Sequence, residues 1–225
     1  MTTSYKHQFA DGSNCNYPTG KVICVGLNYT SHIQEMASKA SGDPMLFIKP
    51  GSSLVSLAGP LLIPQDLGSV HFETEMAVLI GQKLSQCSEQ QVLPAIAGVG
   101  IALDLTLRDL QKQLAKAGHP WEKSKGWDGA CPLSPFVKPD KIADLQNVRM
   151  TLQQNGEIRQ DGNTAQMLSP VVPLITYMSI FFTLQPGDVI LTGTPEGVGP
   201  IEPGDQLVVA LGDLLSTSIT DIQFR

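Results

Sequence analysis

Sixteen prolines and 21 glycines are spread along the 225 residues, and they cut the apolar sequence into short runs. Proline removes a backbone donor and glycine weakens helices and strands alike. Many short strands joined by tight turns are therefore favoured over a helix bundle. Lys21–Gly26 (KVICVG) is a β-branched run closed by glycine and predicts a strand, as does Met45–Ile48. Phe72–Ile80 alternates at first and then becomes wholly apolar, the pattern of a strand that passes from an open site into a core. Ile96–Leu105 is continuously apolar and predicts a buried strand.

Three segments predict helices. Thr30–Lys39 carries Ser31 and Gln34 at capping-box spacing, and Leu107–Ala117 follows Thr106 with Asp109 three residues on. Gly118 and Pro120 end the second. Ser169–Phe182 has Pro170 at its first position. Near the C-terminus Gln185-Pro-Gly-Asp188 and Glu202-Pro-Gly-Asp205 each precede a strand, Val189–Thr192 and Gln206–Leu211, and each predicts a type II turn with glycine at positive φ. The fold class expected is mainly β with some α (α+β): one domain over 21–225 behind an N-terminal arm of residues 1–20.

The sharpest chemical signal is His71-Phe-Glu73-Thr-Glu75 ahead of an apolar run. On one strand Glu73 and Glu75 share a face, where two carboxylates repel unless water or a cation separates them. Asp104 lies inside GVGIALDLTL, where a lone carboxylate is costly unless paired or metal-bound. Three carboxylates and no thiolate suit a hard cation, and Mg²⁺ would keep positions for water and a chelating substrate. The alternative is a solvated strand face with Asp104 capping the next helix. His71 either orients a ligand or is a satisfied core histidine.

Arg108 and Gln111 share a helix face just after Asp104 and are placed to hold a carboxylate. An Arg108–Asp104 ion pair beside a surface Gln111 is the competing arrangement. Trp121–Asp128 carries Lys123 and Lys125 between two tryptophans, and spacing does not choose between the lysines. His32 and Glu35, three apart, form a base with a carboxylate partner or an ordinary polar surface. Thr192-Gly-Thr-Pro-Glu-Gly-Val-Gly199 lacks the Lys-Ser/Thr ending of a phosphate-binding loop, so nucleotide binding is rejected, although its N–H groups suit a carboxylate.

A net charge of −6 without a basic block argues against nucleic acid. Four scattered cysteines suggest reduced thiols rather than zinc or disulfides. The N-terminal residues lack an apolar signal core, and Val171–Leu184 is too short to span a bilayer. A cytoplasmic protein with no membrane partner is expected.

Taken in order, several motifs resemble the fumarylacetoacetate hydrolase superfamily. They are Val25-Gly-Leu-Asn-Tyr29 with His32 and Glu35, Phe47-Ile-Lys-Pro50, His71–Glu75, Asp104 with Arg108–Gln111, Trp121 with Lys125, and Thr192–Gly199. The chain looks closest to its small bacterial acylpyruvase and oxaloacetate decarboxylase members. The resemblance implies a mixed β-sandwich roll, a homodimer, and Mg²⁺ or Mn²⁺ on Glu73, Glu75 and Asp104. It matches Lys125, rather than Lys123, to the active-site lysine. His32 and Glu35 match a catalytic pair on a lid, and Arg108, Gln111 and Thr194 match substrate contacts. Leu27 stands where relatives often have arginine, which bears on the substrate tail. The implied substrate is a small 2-oxo acid that reacts through an enolate. Hydrolysis of the C–C bond of an acylpyruvate ranks first. Oxaloacetate tautomerisation or decarboxylation is second and isomerisation of a hydroxydienedioate third. A metal-dependent 2-oxo acid binding protein is the non-enzymatic reading.

Overall fold

The computed structural model describes residues 5–35 and 42–225. In chain order the strands are β1 (Val22–Gly26), β2 (Met45–Lys49), β3 (Leu54–Ser56), β4 (Leu61–Ile63), β5 (Val70–Phe72), β6 (Thr74–Ile80), β7 (Ile96–Leu103), β8 (Thr106–Leu107), β9 (Cys131–Leu133), β10 (Arg149–Gln154), β11 (Glu157–Asn163), β12 (Val189–Leu191), β13 (Gly199–Pro200), β14 (Leu207–Leu211), β15 (Leu215–Ile219) and β16 (Ile222–Phe224). The helices are α1 (Thr30–Glu35), α2 (Glu89–Ala95), α3 (Arg108–Ala117), α4 (Glu122–Lys125) and α5 (Val171–Phe181). The mainly β expectation holds. Residues 36–39 of the helix expected over Thr30–Lys39 lie outside the described residues.

A seven-stranded sheet in the order β2-β1-β12-β6-β7-β9-β3 forms the centre. It is mixed, because β1–β12 and β3–β9 pair in parallel. An antiparallel sheet, β11-β10-β14-β15, packs on it. Met76, Val78, Val99 and Ile101 meet Met150, Leu152, Leu207 and Val209 there, and these residues are all fully buried. The other face of the central sheet buries Cys24, Ala77, Leu79 and Cys131, with Tyr5, Phe9 and Tyr17 of the N-terminal segment packed over them. Coverage on both sides is why Thr74–Ile80 is buried throughout and wholly apolar from Met76 on. The N-terminal segment is also tied by backbone bonds, Ala10 N to Phe136 O (2.9 Å) and Phe136 N to Gln8 O (2.8 Å).

The strand expected over Phe72–Ile80 is broken at Glu73. β5 and β8 pair in a small sheet with β13, while β6 and β7 pair in the large one. The same two-stranded ribbon therefore changes sheets at Glu73 on one side and at Asp104–Leu105 on the other. Two bonds stitch the break: Asp104 N donates to Glu73 O (2.8 Å), and Thr74 N donates to the side chain of Gln160 (2.9 Å).

α3 begins one residue later than expected, and its capping box is absent. Thr106 lies in β8 and donates its hydroxyl to Asp104 O (3.1 Å), while Asp109 accepts from Ser69 N (3.1 Å). Gly118 ends the helix at φ 67° as foreseen. Both Pro-Gly turns form: Gly187 and Gly204 stand at φ 95° and 92°, with Asp188 N bonded to Gln185 O and Asp205 N to Glu202 O. All four cysteines are free thiols. Among the described residues no helix is long and apolar enough to cross a membrane.

Candidate active site

A cavity of about 450 Å³ opens at the sheet change. Glu73, Glu75, Arg108, Gln111, Lys125, Thr194 and His32 line it, together with Leu27. Asp104 lies beneath the lining, 0% exposed, and Glu35 stands outside it behind His32. Seven of the nine site residues singled out from sequence thus face one space, and the other two touch them.

The three carboxylates are buried, at 5% exposure for Glu73, 1% for Glu75 and 0% for Asp104. The solvated-face alternative therefore does not apply. One oxygen from each lies within 4.8 Å of the others, close enough to share one cation. Lys125 Nζ now bridges two of them, 2.8 Å from Glu73 Oε2 and 2.6 Å from Asp104 Oδ2. Burial opposes the charge on Lys125, but Asp104 and Glu73 outweigh it and raise its pKa. Lys123 is exposed, so the fold separates the two lysines that spacing could not. The separation comes from α4, a single turn whose short length puts Lys125 inward between Ser124 and Gly126.

Arg108 does not pair with Asp104. Its Nη2 donates to Glu73 Oε1 (2.5 Å) and its Nη1 to Gln111 Oε1 (2.6 Å), while Nε is buried with no acceptor. Gln111 is buried rather than on the surface. Burial raises the pKa of Glu73, but Lys125 and Arg108 outweigh it and hold it well below the ordinary carboxylate range. Glu75 moves the opposite way: burial, then Asp104 and Glu73, push its pKa well up. The charge of Glu75 is thus the one the protein's own cations leave uncompensated.

Asp104 Oδ1 is buried and accepts no hydrogen bond. Lys49 Nζ stands 2.7 Å away, but its protons go to the carbonyls of Leu105, Lys125 and Ala130. An open carboxylate oxygen beside an undercompensated Glu75, in an all-oxygen set, fits a hard divalent cation. Lys49 was not singled out as a site residue from sequence. Its signal was a lone charge in the apolar strand MLFIK, where the side chain is 0% exposed.

The Thr192–Gly199 loop closes one wall. Gly193 sits at φ 94°, and a Cβ there would meet Asn28 Cβ at 2.7 Å. Glycine lets its N–H reach Glu75 Oε2 (2.5 Å). Gly197, at φ 92°, has no room for a Cβ against Arg159 O and donates to Glu35 Oε1 (3.1 Å). Glu35 Oε2 in turn holds His32 Nδ1 (3.1 Å), and His32 is 5% exposed. Gln160 Nε2 donates to Thr194 Oγ1 (2.8 Å), which leaves the hydroxyl proton of Thr194 for another acceptor. Gln160 also caps Thr74, so one side chain ties the sheet change to this loop. Nothing in EIRQDGN marks it in sequence. His71 is not on the cavity wall: it is half-buried, and burial, then Arg108, lowers its pKa to about 4.

"Oxaloacetate tautomerase YcgM" of Escherichia coli (strain K12) is 54% identical over 217 residues, 96% of this chain and 99% of the relative. "Oxaloacetate decarboxylase, mitochondrial" of Dictyostelium discoideum is 42% identical, covering 91% of this chain and 92% of the relative. The crystal structure of fumarylpyruvate hydrolase from Pseudomonas aeruginosa in complex with Mn²⁺ and pyruvate superposes with a TM-score of 0.92 at 31% identity, covering 100% of this chain and 98% of that one. The family model described as Fumarylacetoacetate (FAA) hydrolase C-terminal matches residues 21–224, and the chain belongs to the fumarylacetoacetate hydrolase family.

Proposed function

We propose that this enzyme interconverts the keto and enol forms of oxaloacetate with a divalent metal, Mg²⁺ or Mn²⁺, held by Glu73, Glu75 and Asp104. The observation that carries the reading is the 54% identity, over nearly the whole of both chains, to a protein named oxaloacetate tautomerase. The order of readings drawn from sequence is thereby reversed, since acylpyruvate hydrolysis stood first there. Site charge supports the change. Lys49, Arg108 and Lys125 equal Glu73, Glu75 and Asp104 in formal charge, although their ion pairs reach only Glu73 and Asp104. A further divalent cation leaves the site net positive, which suits a dianion better than a monoanion.

The bound metal would supply Lewis-acid polarisation of the 2-oxo group. Arg108 and Gln111 hold the carboxylate next to it, using the unspent Nε–H and amide donors. Thr194 donates its free hydroxyl proton to the same end of the substrate. Glu35 keeps a proton on Nδ1 of His32, so Nε2 is the basic nitrogen. His32 takes a proton from C3, the C2–C3 bond gains double-bond character, and Lys125 delivers a proton to the 2-oxygen. One C–H bond is lost and one O–H bond gained, and both residues recover by exchange with solvent.

The second reading, C–C hydrolysis of an acylpyruvate, is favoured by the His32–Glu35 pair, which is equally suited to activating water. A homodimer and a cytoplasmic location belong to the same proposal. The dimer has support in α5, where Ile180 and Phe181 are 54% and 60% exposed. The test follows the absorbance of enol oxaloacetate as it relaxes to equilibrium, with pyruvate release measured in parallel and acetylpyruvate as competitor substrate. Faster relaxation with Mn²⁺ present is expected. Cleavage of acetylpyruvate without acceleration of oxaloacetate overturns the proposal in favour of the hydrolase.

A further inference from the structure

We infer that Lys112 is the specificity residue that selects a 2-oxo diacid over a 2-oxo acid with a neutral tail. The inference rests on the metal-dependent reading above and goes beyond it by assigning the far end of the substrate. Lys112 lines the cavity from α3, one helical turn beyond Arg108 and on the same face. The other two cations on the wall are engaged. Arg108 is bound to Glu73, and Lys125 bridges Glu73 and Asp104. Lys112 makes no hydrogen bond or ion pair among the described residues. It is exposed, so its ammonium is free to swing over the mouth.

Among the described residues, the wall of the mouth facing Lys112 is apolar. Leu27, Met45, Phe47 and Trp121 form it, and all four are carbon-rich. Leu27 is held there by an unusual backbone, at φ 60° for a residue other than glycine. Among the described residues, a distal carboxylate directed away from the metal end and from His32 thus meets either Lys112 or solvent. The reach is right. One helical turn from Arg108 to Lys112 rises about 5–6 Å. The two carboxyl carbons of a four-carbon diacid stand about 4 Å apart, and the flexible lysine stem covers the difference. A methyl ketone tail would instead rest on the apolar wall and gain nothing from Lys112.

The test separates this assignment from the reaction itself by using ligands that do not react. Malate and lactate share the 2-hydroxy carboxylate end and differ in the distal carboxylate. Their binding to the Mn²⁺-loaded protein is measured by calorimetry in wild type, Lys112→Met, Lys112→Glu and Lys112→Arg. Thermal unfolding checks that each variant is folded. Lys112→Met should weaken malate about tenfold, Lys112→Glu should weaken it further, and Lys112→Arg should restore it, while lactate shifts less than about twofold. Added salt should weaken malate more than lactate. In turnover, the oxaloacetate KM of Lys112→Met should rise while kcat stays within about twofold. Equal losses for malate and lactate, or no loss for malate, overturn the inference. Because the binding arm needs no turnover, a wild type that fails to act on oxaloacetate counts against the proposed reaction and leaves the Lys112 result standing.

Discussion

Replacing Lys49 by methionine keeps the stem of a fully buried side chain and removes its charge. The ammonium it deletes serves the carbonyls of Leu105, Lys125 and Ala130 and stands 2.7 Å from Asp104 Oδ1. Removing one partner of a buried ion pair costs about 3–5 kcal/mol, because the remaining charge is left in a poorly solvating interior. Lys125 still holds Asp104 Oδ2, so part of the carboxylate stays compensated. The carbonyls of Leu105 and Lys125 lose this donor and add to the loss at about 1–3 kcal/mol for a buried unsatisfied group, whereas Ala130 O still accepts from Leu105 N. A total loss of about 3–5 kcal/mol is therefore expected in metal-free protein, read from urea unfolding curves of wild type and Lys49→Met. Saturating Mn²⁺ should shrink the loss by about 1–2 kcal/mol, since a divalent cation compensates Asp104 as well. By linkage the variant must then bind Mn²⁺ about tenfold more tightly than wild type, which titration calorimetry checks directly. A loss below about 1 kcal/mol, or one that does not change with metal, would refute the assignment of Lys49 as a counter-charge to Asp104.

Chelation should abolish turnover and Mg²⁺ or Mn²⁺ restore it, with Glu73→Gln weakening metal affinity; full activity in metal-free enzyme would contradict the proposed site. His32→Ala should slow oxaloacetate enol–keto exchange by about 10²–10⁴-fold at saturating metal, and a change under about fivefold would remove His32 as the base. Burial lowers the pKa of His7 below its ordinary 6.5, so the unfolded chain takes up a proton first as pH falls through 6.5. Stability should decline there, and His7→Gln, which never takes up that proton, should flatten the slope; identical slopes in the two proteins would exclude His7 as a source. Light scattering at micromolar concentration should give the mass of a dimer, and a monomer there would contradict the assembly.

What could be read in the sequence was what depends on local pattern. The KVICVG strand, the fully apolar part of β6, the helix end at Gly118 and both Pro-Gly turns follow from neighbouring residues, and all appear. The carboxylates were legible because charges are conspicuous in apolar runs. The break of the strand at Glu73 was not, because it depends on Gln160, whose side chain takes over a backbone bond from a remote part of the chain. For the same reason Thr106 misled as a helix cap: its hydroxyl is committed to Asp104 O. The β10–β11 hairpin did carry a local signal, Asn155-Gly156, with both residues at positive φ as a type I′ turn requires. Pattern reasoning that stopped at the larger motifs passed over it. Lys125 and Lys123 could not be told apart by spacing, since their difference is burial.

The sheet order places β12, Val189–Leu191, between β1 and β6. The strand that joins the N-terminal hairpin to the rest of the central sheet thus leaves the ribosome more than 100 residues after both of its neighbours, β1 and β6. Until residue 191 emerges, β1 and β2 have no partner across that seam, and the ribbon of β6 and β7 exposes one edge. A nascent chain in this state carries Glu73, Glu75, Asp104 and Lys125 without Gly193 and Thr194 to cover them. Synthesis therefore yields an open half-site first, and the wall containing the glycine loop arrives together with the strand that closes the sheet. Slow folding dominated by distant pairings follows, as does a window in which the unpaired edges of β1 and β6 invite pairing with another chain.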